Sequence, residues 1–210
     1  MTYHDLTVPL REGMLIYPGD TEVRITPIVT DYPLARVTTR ELHLGSHTGT
    51  HVDAPLHAGV GGGTVDELPM AALLGPATVL DLRGVTAIGP AELEAAGSVQ
   101  PRVLLRTDNS QWIRSGPIPA QPAHLTEAGA QWLLAHNVVL VGIDGLSVDA
   151  PEEMAVHLLL LRAGVVLLET LDLTDLAAGE GELTCLPLRL EGGDGAPARV
   201  VLKRPAVPRP

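Results

Sequence analysis

The chain has 210 residues, 45% of them apolar and 19% charged, with a formal net charge of −11 and a single cysteine. Length and composition suit one folded domain and exclude a disordered chain, and the acidic balance leaves no basic face for nucleic acid. One cysteine excludes an intrachain disulfide. With a start (MTYHDLTVPL) that lacks a signal peptide's charged end and apolar run, it points to a reducing cytoplasm.

In chain order, residues 8–17, 23–30 and 35–43 are short, β-branched and broken by Pro or Gly, so they predict strands, with a turn at Pro18-Gly19-Asp20. Residues 46–57 (SHTGTHVDAPLH) come next, then a flexible connector at Gly61-Gly62-Gly63. From residue 77 the runs ATVLDLR, RVLLRT, VVLVGID and GVVLLETLDL predict buried strands.

Helices are expected between these strands. Pro90 suits a first turn, Thr126 caps TEAGAQWLLAHN, and Asp149 with Glu152 forms a capping box for APEEMAVHLLLLRAG, which Gly164 closes. Residues 154–168 are the most apolar stretch, but His157 and Arg162 within it make it buried protein, not a membrane span. LTCLPLRL and ARVVLK are the last strands. The expectation is an α/β protein: a single domain over residues 1–203, strand-rich in its first half and alternating β/α in its second, then a Pro-rich tail over 204–210.

Residues 46–57 hold three of the chain's eight histidines, together with an aspartate. Gly49, Thr50, Val52 and Pro55 argue against a helix. In an extended chain the odd-numbered His47, His51, Asp53 and His57 point to one side. Imidazole and carboxylate without thiolate form a ligand set for zinc, with manganese or iron also suited, and mark a catalytic site more than a structural one. Further ligands must come from elsewhere. His157 on an apolar helix and Glu169 at the end of an apolar strand are the candidates, since such a Glu is costly to bury unpaired. His43 is expected in the core or behind the ligands, and His136 at a helix end. Cys185 lies in an apolar run and reads as packing, and Ser46 lacks an oriented His–acid pair for a serine hydrolase.

The motif HTGTHVDAPLH resembles the HxGTHxDxPxH element of the cyclase family, which includes bacterial kynurenine formamidases. YPGDT, LLRTDN, LTEAGAQWLLAHNVVLVGIDGLSVD and HLLLLRAGVVLLETLDL are similar to further family segments in the same order, so the likeness covers most of the chain. The resemblance implies a swivelling β/β/α fold and two zinc ions per chain. His47, His51 and Asp53 would hold one ion and His157 the second, with Asp53 and Glu169 touching both. It implies that His57 is the general acid/base and that Tyr17, often Trp in the formamidases, contacts the substrate. Leu158 departs from the second His that many members carry there. The implied reaction is hydrolysis of N-formylkynurenine to kynurenine and formate by a metal-activated hydroxide, in a homodimer or larger homo-oligomer. The alternatives are a cyclic-amide hydrolase like the isatin hydrolases and a non-catalytic metal-binding protein.

Overall fold

Four short runs of Val, Leu and Ile are buried on both faces and need cover on both sides. A computed structural model describes residues 1–206, the side chain of Ser115 excepted, and shows how that cover is supplied. The strands are β1 (Thr2–Asp5), β2 (Arg24–Tyr32), β3 (Ala35–His43), β4 (His51–Asp53), β5 (Leu74–Asp81), β6 (Ala87–Ile88), β7 (Arg102–Arg106), β8 (His124–Leu125), β9 (Leu140–Ile143), β10 (Val166–Glu169), β11 (Gly179–Pro187) and β12 (Gly195–Arg204). The helices are α1 (Met70–Leu73), α2 (Pro90–Ala96), α3 (Asn109–Ser115), α4 (Glu127–Ala135) and α5 (Ala155–Arg162).

The main sheet runs β1-β12-β11-β5-β7-β9-β10-β4, and β4 pairs back onto β12, closing seven of the strands into a barrel. Strands β5, β7, β9 and β10 are parallel, and α2, α4 and α5 lie in the crossovers that parallel neighbours require. The period-2 alternation of a strand divides each run between two cores. Val79, Leu104, Leu140 and Leu168 join the barrel interior with Val52, Leu183, Cys185 and Val200. Leu80, Leu105, Val141 and Leu167 face outward onto Leu93, Leu133 and Leu160 of the helices. The α/β class, the strand-rich first half and the alternating second half are as expected.

Two local expectations are corrected. Residues 8–17 form no strand: Pro9 has no N–H, Gly13 takes φ +68, and the Val8 N–H bonds the Thr50 hydroxyl at 2.9 Å instead of a strand. Asp149 and Glu152 form no capping box, because α5 begins only at Ala155 and Glu152 is left-handed at φ 65. Asp149 still caps α5 from outside, accepting from the Val156 and His157 N–H groups at 2.8 and 2.9 Å. Strand β12 runs through Arg204, and residues 207–210 of the expected tail lie outside the described residues. Among the described residues, strands β2 and β3 pair only with each other, as a hairpin arm exposed along nearly its whole length.

Candidate metal centre

The centre grows from β4, three residues wedged antiparallel between β10 and β12. Val52 enters the barrel core, so His51 and Asp53 share the opposite face. The register sets Glu169 directly across from His51. The extended reading of the whole motif holds only for this pair. Gly49, at φ +65, breaks the chain before β4, and Pro55 starts a 3-10 turn, Pro55–Ala58, after it. His47 and His57 therefore reach the same point from turns. Thr50 pins the first turn, donating to the Thr170 carbonyl at 2.6 Å. Gly195 of β12 leaves room for the ring, since a Cβ there would lie 2.8 Å from His47 Cε1.

The side chains converge on one carboxylate. Asp53 Oδ1 lies 2.8 Å from His47 Nδ1 and 3.3 Å from His51 Nε2, and Asp53 Oδ2 lies 3.4 Å from His157 Nε2. Glu169 sits 3.6 Å from His51 Nε2 and 3.3 Å from His157 Nε2. Each ring's other nitrogen is tied outward. His47 Nε2 meets Asp194 at 2.9 Å, His51 Nδ1 meets the Gly49 carbonyl at 2.7 Å, and His157 Nδ1 meets Asp149 at 2.5 Å. Those acceptors hold a proton on the outer nitrogen and leave the inner nitrogen to serve as a ligand once its own proton is displaced, the arrangement that metal-ligating histidines use.

Asp53 is fully buried, yet neither of its oxygens has a hydrogen bond of acceptable geometry despite the short His47 approach. A buried carboxylate so placed is costly without a compensating charge. The donor set and this orphaned carboxylate fit divalent cations. Among the described residues, two groups have ligand atoms mutually within 4.8 Å: His47, Asp53 and His57, and His51, Asp53 and Glu169. Asp53 belongs to both. The first group contains His57 where the resemblance implies His51, so geometry alone also allows His57 as a ligand.

Burial alone would lower the imidazole pKa values, but the carboxylates prevail at three of them. Asp53 and Asp194 raise His47 to about 9, and Glu169, Asp149 and Asp53 raise His157 to about 12. His51 is raised by Asp53 and Glu169, and Asp53 is held well below its ordinary range. Cations entering here would displace protons. His57 goes the other way: burial lowers it, and His47 and His157 add to that. Its ring packs 4.1 Å from that of His47, and its Nδ1 lies 3.8 Å from Asp194.

A cavity of about 290 Å³ opens over the centre, lined by His47, His51, His57, His157, Glu169 and Tyr17 among others. Tyr17 is 40% exposed, beside the turn closed by the Asp20 N–H on the Tyr17 carbonyl. Leu158 is half-exposed on α5 while His157 is buried. The expected core or supporting place for His43 is not found: it lies exposed on the hairpin. His136 stacks on Trp132 at the end of α4. Asp194 and Asp149 are the residues that sequence reading missed in this role. Asp194 lies in a Gly-rich loop that reads as an ordinary turn. Asp149 reads in the sequence as a helix cap alone.

The family model described as "Putative cyclase" matches residues 4–150. A kynurenine formamidase of Polaromonas naphthalenivorans is 34% identical over 95% of this chain and 89% of its own. A solved structure described as a "predicted metal-dependent hydrolase from Bacillus stearothermophilus" superposes with a TM-score of 0.81 at 34% identity, covering 96% of this chain and 97% of that one. Isatin hydrolase A from Ralstonia solanacearum gives 0.78 at 26% identity, covering 96% and 91%.

Proposed function

The chain belongs to the cyclase family, and on that premise we propose that it hydrolyses N-formylkynurenine to kynurenine and formate. It is a metal-dependent hydrolase acting on amides. The carrying observation is Asp53, a buried carboxylate without a hydrogen bond, faced by inward-turned nitrogens of three histidines. His47, His51 and Asp53 would hold one ion and His157 the other, with Asp53 and Glu169 touching both; zinc is the first choice and manganese the second. Bound there, divalent cations supply Lewis acidity, bringing the pKa of water toward neutrality and polarising a carbonyl.

The chain's own groups do the rest. His57, with its lowered pKa, is neutral near pH 7, takes a proton from the attacking water and returns it to the leaving aniline nitrogen. Tyr17 offers a ring to the aryl group at the cavity mouth. Asp194 and Asp149 hold His47 and His157 in the required tautomers.

The exposed β2–β3 arm, with Leu34 at its tip 99% exposed, supports a homodimer or larger homo-oligomer. No described helix is long and apolar enough to cross a membrane. The lone, buried Cys185 favours a reducing cytoplasm.

The deciding assay sets N-formylkynurenine against isatin with the metal-loaded protein. Formamide turnover that disappears on chelation and returns with metal is the expected result. Rapid turnover of isatin and none of the formamide would overturn the substrate assignment.

A further inference from the structure

A second hollow, of about 300 Å³, adjoins the cavity over Asp53, and the two share Tyr17, Leu146 and Ser147 as a common wall. Its other walls are mostly apolar: Pro18, Trp112, Ile118, Pro122 and Pro151. The wall is firmly built. Trp112 is 9% exposed and donates from Nε1 to Asn109 Oδ1 at 3.2 Å. Leu146 packs against the same apolar cluster as Trp112, with Val8, Met14 and Val23 behind it.

Apart from the histidines of the centre and the Tyr17 phenol, the ionisable groups lining both hollows are carboxylates. The first carries Asp20 and Glu153 besides the groups of the centre, and the second carries Glu152 and Asp149, the latter tied to His157. Among the described residues no Lys or Arg lines either hollow.

Resting on the amide-hydrolase reading, we infer that the second hollow receives the remote end of an aryl amide substrate and selects a neutral or cationic extension over a carboxylate. An aryl group against Tyr17, with its amide at the centre, stands at the shared wall, so a side chain on that ring extends into the second hollow. Apolar atoms there leave water for apolar walls. A carboxylate would lose hydration beside Glu152 with no counter-ion, whereas an ammonium finds one. N-formylkynurenine ends in both groups, so its decarboxylated amine analogue is the better substrate.

The test compares kcat/KM of the metal-loaded protein on formanilides whose ortho side chains end in an ammonium, a methyl group or a carboxylate. The first two should exceed the carboxylate by at least about tenfold, mainly through KM. Ile118→Trp narrows the second hollow and should bring the roughly tenfold advantage of the methyl-ended chain over the carboxylate-ended one close to parity. Equal values for all three endings, or an undiminished advantage in Ile118→Trp, overturns the inference. If no formanilide is cleaved, the reaction assignment falls, and calorimetry with the deformylated anilines reads the hollow directly. The same ranking of affinities then upholds the inference, and equal affinities overturn it.

Discussion

At Asp53 a local conflict carries functional information. A carboxylate with no accessible surface needs positive charge beside it, which the raised-pKa histidines supply while protonated and a divalent cation would supply once it displaces their protons. Histidine nitrogens surround it, and His47, His51 and His157 have their outer nitrogens engaged. His57 differs, because its lowered pKa suits a proton carrier, although its position beside His47 and Asp53 also allows ligation. His57→Ala should reduce turnover by about 10²–10⁴-fold with metal content near wild type. Metal lost together with activity would make His57 a ligand instead. The motif was legible because four of its residues lie within eleven positions of one another, so parity and residue type could be read together. Asp194 was not legible. It lies 147 residues from His47 in sequence, and only the closure of β12 onto β4 brings it near.

Among the elements, the apolar strands β5, β7, β9 and β10 were the most legible, because burial on both faces leaves a continuous run of Val, Leu and Ile. Strand β3 and the Thr126 cap of α4 also followed from local chemistry, the Thr126 hydroxyl accepting from the Gly129 N–H at 3.1 Å. Strand β1 was missed because its pairing with β12 is set by the far end of the chain. Gly142 in β9 marks a close approach: a Cβ there would lie 2.6 Å from Leu104 Cδ2 and 2.9 Å from Leu171 Cδ1. Both neighbours are fully buried and cannot withdraw. Gly142→Ala should cost about 1–3 kcal/mol and lower Tm by roughly 2–10 °C, read by calorimetry. An unchanged Tm would mean that β9 packs less tightly than the structure shows.

On the scale of the whole molecule, two features follow from topology. The first is the hairpin arm. A two-stranded ribbon alone is marginal in water, and here Ile28, Val29, Tyr32 and Leu34 are all well exposed. A second copy of the chain should cover it, and light scattering at micromolar concentration should give a dimer or larger. A monomer would remove this part of the account. The second is barrel closure. It brings α5 and β10 to the Asp53 carboxylate on β4 and the loop before β12 to His47, so the centre belongs to the fold and not to any single segment. If Asp53 is the shared ligand, its loss should empty both positions at once. Elemental analysis of wild type and Asp53→Ala, at equal protein concentration and with the fold checked by circular dichroism, reads this directly. The account predicts about two equivalents of divalent metal per chain in wild type and well under one in the variant. Two equivalents retained by a folded Asp53→Ala would contradict it.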